Sequence, residues 1–114
     1  MKRVFVYAPL IKKRLEGFID PEEKAREIEN EILGNLETGD IVPGTGGVRK
    51  FRLPDERRSK GKRSGIRVFY LDLPHVEKTH LIFLLRKGES QDLTSLEKKV
   101  IRDLVVTLKK ESRV

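Results

Sequence analysis

Lys50 and Arg52 stand two residues apart in the run VRKFRL, residues 48–53. In an extended chain alternate side chains share a face, so these cations project together while Phe51 and Leu53 turn the other way. Two later β-prone runs add positive charge. GIRVFYLDL (65–73) carries Arg67 near its start and Tyr70 further along, and THLIFLLRK (79–87) ends in Arg86 and Lys87. If these runs are neighbours in a sheet, basic groups from three strands converge on one surface. Lysine and arginine donors match phosphate oxygens, and the arginine fork does so bidentately. On RNA such a surface has a chemical option that needs no metal. The 2′-hydroxyl attacks the neighbouring phosphate when a base takes its proton and cations stabilise the charge developing on phosphorus. A lysine crowded by other cations has its pKa pushed down and becomes a candidate base. Lys50, Lys62 and Lys87 all qualify, and the residues alone do not rank them.

The charge distribution points the same way. Residues 49–67 hold nine Lys or Arg (Arg49, Lys50, Arg52, Arg57, Arg58, Lys60, Lys62, Arg63 and Arg67) against two acids, Asp55 and Glu56. The remainder of the chain carries sixteen basic and sixteen acidic residues, so the whole net charge of +7 belongs to this window. A concentrated excess of this kind suggests attraction to a polyanion, nucleic acid first. The plainer alternative is a solvated loop that keeps the protein soluble. Gly46, Gly47, Gly61 and Gly65 lie among the cations and permit tight turns or close backbone approach.

The elements that must position these residues are legible in outline. RVFVY (3–7) reads as a first strand. A short helix follows around residues 9–17, with Pro9 in its first turn and Gly17 as a stop. Asp20 is the N-cap of a second helix, Pro21 its first residue, and Glu23 completes a capping-box spacing. Ala25, Ile28, Ile32 and Leu33 keep its apolar stripe to Gly34. IVPGTGG (41–47) is turn chemistry, then come the three strand-like runs, the last two joined as a hairpin through LPHVEKT. Thr94 caps a final helix with Glu97 at the capping-box position, and Leu96, Val100, Ile101, Leu104, Val105 and Leu108 form its apolar face. The order β-α-α-β-β-β-α is that of a single α+β domain over residues 1–114, a small, mostly antiparallel sheet with helices packed on one face.

Several chemistries are poorly served. With no cysteine there are no disulfides and no thiolate metal sites, which fits a reducing cytoplasm. The carboxylates lack ligand spacing, so no metal or other cofactor is expected. IVPGTGG lacks the GK[ST] ending of a phosphate-binding P-loop. His75 and His80 fall in and just after the hairpin loop and do not make a convincing acid–base pair. No apolar run nears the roughly 18 residues of a membrane span, and charges interrupt the opening segment too soon for a secretory signal.

Taken together, GTGGVRKFR (44–52), KGKRSGIRVFY (60–70) and RKGESQDLT (86–94) resemble the HigB branch of the RelE/ParE toxins, over most of the chain from residue 38 onward. The resemblance implies the toxin of a type II toxin–antitoxin pair. Such a toxin enters the ribosomal A site and cleaves the mRNA being translated, and a cognate antitoxin, here a HigA-like helix-turn-helix protein, neutralises it. Lys50, Arg52 and Arg67 match positions where RelE-like nucleases carry phosphate-contacting or catalytic cations. Lys62 and Arg63 match the loop signature of the HigB branch, and Lys87 matches its lysine ahead of the acidic DLT segment. The resulting expectation is a catalytic set of Lys50, Arg52, Arg67 and Lys87, with Arg49, Lys60, Lys62, Arg63, Tyr70 and Arg86 binding RNA. The family often carries an aromatic two positions before that lysine. Here the position is Leu85, which leaves Tyr70 as the aromatic for stacking or proton transfer, although Tyr70 shares the parity of Ile66 and Val68 and suits a core position as well. Two other functions compete: a ParE-like inhibitor of DNA gyrase acting by protein binding, and an RNA-binding module without catalysis. The KGKR-x-G-x-R pattern favours the nuclease.

Overall fold

Three prolines and two side-chain caps mark the starts of the helices. The computed structural model describes residues 3–54, 65–86 and 93–113. In chain order the elements are β1 (Val4–Tyr7), α1 (Pro9–Leu15), α2 (Pro21–Gly34), β2 (Asp40–Ile41), β3 (Arg49–Leu53), β4 (Ile66–Leu73), β5 (Lys78–Arg86) and α3 (Ser95–Glu111). A single 3-10 turn, Pro74–Val76, links β4 to β5 and closes through Glu77 in the left-handed region. The α2 cap forms as expected, Asp20 accepting from the Glu23 amide at 3.1 Å. The α3 capping box is complete, with Thr94 accepting from the Glu97 amide and the Glu97 carboxylate accepting from the Thr94 amide. No helix among the described residues is long and apolar enough to cross a membrane.

The architecture is α+β, and its sheet departs from the sequence expectation in three ways. It has five strands in the order β1-β5-β4-β3-β2, because the two-residue β2 adds to the edge beyond β3. It is mixed: β2–β3, β3–β4 and β4–β5 are antiparallel, whereas β1 runs parallel to β5. Its helices lie on both faces. Ile11 and Leu15 of α1 and Ile28 and Ile32 of α2 pack with Phe51, Leu53, Ile66, Val68 and Tyr70 on one face. Ile101 and Val105 of α3 pack with Phe69, Leu71, Leu73, Phe83 and Leu85 on the other. The reason is in β4, whose residues are apolar at both parities, so neither face can be left to water. At roughly 1.5–3 kcal/mol for each large aliphatic side chain buried, both faces contribute to stability.

A bulge interrupts β5. The register passes from Phe69–Phe83 to Tyr70–Leu81, which leaves Ile82 without a partner in the ladder. The extra residue puts Ile82 and Phe83 on the same face, toward α3. Only part of the apolar side of α3 reaches that face. Leu96 and Val100, expected in its core stripe, are 71% and 61% exposed, and Leu104 is at the exposed margin. These three residues, with Ala8, Pro9, Leu10, Ile82 and Phe83, line an apolar groove of about 420 Å³ between α1 and α3. Leu33, placed in the α2 stripe by spacing, is likewise exposed.

Candidate nucleic-acid interface

The β3–β4 register sets Arg52 directly opposite Arg67, and Lys50 opposite Phe69. Phe51 and Leu53 pack against the α1–α2 side, so Lys50 and Arg52 project from the α3 side, and Arg67 shares the parity of Phe69 and Leu71, which lie on that side. Three of the expected cations therefore meet on one face. Arg52 is exposed, and Lys50 and Arg67 are partly so, which leaves this end of the face open to solvent. On its other side Arg67 is paired with Leu85, the position where an aromatic was expected; Leu85 is buried. Like charges directly across a strand pair are destabilising by themselves. A phosphate oxygen between two guanidiniums reverses the sign of that interaction.

The turn between β2 and β3 fixes the other end of this surface. Buried Thr45 donates to the Val42 carbonyl at 2.7 Å and accepts from the Val48 amide at 3.2 Å. Lys109 of α3 donates to the Gly46 carbonyl at 2.7 Å. Ahead of β2, Gly39 takes φ +85°, and a Cβ there would lie 2.0 Å from the Lys50 carbonyl oxygen, so only glycine lets this loop approach β3. The approach places Asp40 directly opposite Lys50. Sequence reading missed this carboxylate, since a two-residue strand inside turn chemistry gives no periodic signal.

Three expected RNA-binding residues lie on the opposite face. Arg49 donates from Nη1 to the Glu37 and Gly39 carbonyls, both at 3.1 Å, and so ties down the α2–β2 loop. Tyr70 is fully buried. Its hydroxyl lies 2.7 Å from the Thr38 carbonyl and 3.2 Å from that of Leu36, and its ring meets Phe51 edge-on at 5.6 Å. Burial pushes its pKa up to about 12, opposed by nearby Arg49. Tyr70 is thus a core residue that organises the loop carrying Asp40, and its ring is not available to a base. The Arg86 guanidinium stacks 3.7 Å from the centroid of the Phe18 ring, behind the sheet. Lys60, Lys62, Arg63 and Lys87 lie outside the described residues. The strands that the 55–64 segment joins end side by side, Leu53 opposite Ile66, one step along the ladder from Arg52 and Arg67.

One further cation escaped sequence reading. Lys24 of α2 is buried, donating from Nζ to the Pro54 carbonyl at 3.0 Å and to Glu27 at 3.1 Å. The signal was its spacing: Lys24, Ile28 and Ile32 share one helical stripe. The histidines stand apart. His75 pairs with the Ser112 hydroxyl at 3.0 Å, and His80, its pKa lowered by burial and then by Lys78, belongs to β5. Compared with protein-family models, the chain matches none.

Proposed function

We propose that this chain is the toxin of a type II toxin–antitoxin pair and a metal-independent, ribosome-dependent mRNA endonuclease. The observation that carries the reading is the cross-strand pair Arg52–Arg67 with Lys50 two residues along the same face. The three motifs that resemble the HigB branch support it, since they contain this set. In this reading Arg52 and Arg67 hold the non-bridging oxygens of the scissile phosphate and stabilise the charge that grows there. The 2′-oxygen bonds to phosphorus as its proton passes to a base, and the bond to the 5′-oxygen breaks as that oxygen gains a proton. The products are a 2′,3′-cyclic phosphate and a 5′-hydroxyl. Lys50, with Asp40 across the ladder, stands nearest to the roles of proton acceptor and donor. A cognate antitoxin of the HigA-like helix-turn-helix kind, working in the cytoplasm, completes the proposal.

The test combines purified protein with a defined mRNA, free in EDTA or bound to stalled ribosomes. Cleavage at the A-site codon on ribosomes alone is the expected outcome, with cyclic-phosphate ends. Cleavage of free RNA would keep the nuclease and remove the ribosome from the mechanism. Intact RNA in both arms overturns the reading, and a gyrase supercoiling assay then examines the ParE-like alternative.

A further inference from the structure

Lys24 is buried, at 5% exposure, against the end of β3. Burying an ammonium costs far more than burying an aliphatic chain of the same shape, unless strong partners compensate. Its partners are specific. Nζ donates to the carbonyl of Pro54 at 3.0 Å, is held by Glu27 at 3.1 Å, and lies 5.5 Å from the centroid of Phe18. A methionine would fill the same space at smaller cost, so what the lysine adds is a charged donor aimed at one backbone oxygen. That oxygen belongs to the residue immediately after β3.

The surroundings give this bond a direction. Leu53, the last residue of β3, pairs with Ile66, the first of β4, and on its other side Ile66 pairs with Arg86 of β5. Arg86 stacks on the same Phe18 ring that Lys24 approaches. The Phe18 cluster thus grips the strand on each side of Ile66, from behind the sheet. One step along the ladder, on the opposite face, stand Arg52 and Arg67. The last pair of a ladder has support on one side only, and a brace at this point resists its opening.

We infer that Lys24 is a positioning residue: its bond to Pro54 holds the end of β3 so that Arg52 and Arg67 keep the spacing a phosphate requires. Its consequence for cleavage rests on the nuclease reading above; the positional claim does not. Misplacement of about 1 Å in such a constellation costs up to about a hundredfold in rate, so a partial loosening by about tenfold is the expected scale.

The experiment uses the full chain as wild type, Lys24→Met and Lys24→Arg. Hydrogen exchange without RNA reads the position. Lys24→Met should speed exchange at the Phe51 and Leu53 amides about tenfold while amides in β1 and α3 stay as in wild type. Lys24→Arg, which still offers a charged donor, should restore slow exchange. On ribosome-bound mRNA, Lys24→Met should lower kcat about tenfold with KM unchanged, and Lys24→Arg should recover most of it. Unchanged exchange at Phe51 and Leu53 overturns the inference, as does a uniform rise over all elements, which signals plain loss of stability. Local loosening with wild-type kcat also overturns the catalytic consequence. Should Lys24→Met fail to fold, Lys24→Gln, with a shorter and uncharged head, supplies the same comparison. A wild-type chain that cleaves no RNA defeats the nuclease reading alone, and the exchange arm still decides the position of β3.

Discussion

The two faces of the sheet set the same residue types in different surroundings. On the α1–α2 face Lys24, Arg49 and Arg86 each spend their charge internally, on the carbonyls of Pro54, Glu37 and Gly39 or on the ring of Phe18. On the α3 face Arg52 is set against Arg67 with Lys50 beside them, toward solvent. Arg49 and Lys50 are neighbours in the chain and are separated by the thickness of the sheet. Strand parity, more than charge density, decides on which face each cation stands.

That contrast can be broken from the closed side first. Ile28 is fully buried against the sheet, so Ile28→Ala should cost about 2–5 kcal/mol in urea unfolding, a large share of a stability near 5–15 kcal/mol. Cleavage should follow the folded fraction and nothing more. The open side should answer in the reverse sense. Arg67→Ala, or Lys50→Ala with Arg52→Ala, should lower cleavage on ribosomes about a hundredfold or more and abolish growth arrest at matched expression. Stability should fall by about 1 kcal/mol at most, well short of the loss in Ile28→Ala. The salt dependence of RNA binding should also flatten, by about 0.7 in log–log slope for each cation removed. Full toxicity in these variants would refute the nuclease reading.

The smallest effect sharpens the comparison on the closed side. Tyr70→Phe removes a buried hydroxyl from the α2–β2 loop and should cost about 1 kcal/mol at neutral pH. Its pKa rises from 10.0 to about 12 on folding, so its contribution is intact below pH 10 and is lost as the pH climbs toward 12. Alkaline unfolding curves should therefore be flatter for Tyr70→Phe than for the wild type between those values. Tyr7, raised in the same direction by burial and by Glu29, supplies the part of the slope that remains.

Sequence reading recovered what is local. Both caps involve residues three apart, and the four strand-like runs lie within about two residues of β1, β3, β4 and β5, whereas the two-residue β2 gave no signal. Beyond the β4–β5 hairpin, what it could not supply is pairing. Lys50 and Arg52 share a face by spacing alone, but Arg67 joins them only through a register that spans residues 52 to 67. Arg86 needed its partner Ile66 to be sent to the other face. Helices on both faces were hidden by β4, where apolar residues at both parities name no outside. The six apolar positions of α3 span more of the helix than one sheet can cover, and spacing does not say which edge stays out. Lys24 was legible in principle, as a lysine on an isoleucine stripe.

The parallel pairing of β1 with β5 has a consequence in time. Residues 4–7 find their partners only at 78–81, whereas β3, β4 and β5 follow one another in the chain and pair antiparallel. Closing the longest loop last is the order that chain entropy favours. As the chain emerges during synthesis, its first strand must wait for its last, and the sheet gains its β1 edge only when most of the protein has been made. The Arg52–Arg67 pair can form while that edge is still open, so the cation surface is assembled before the fold around it is complete.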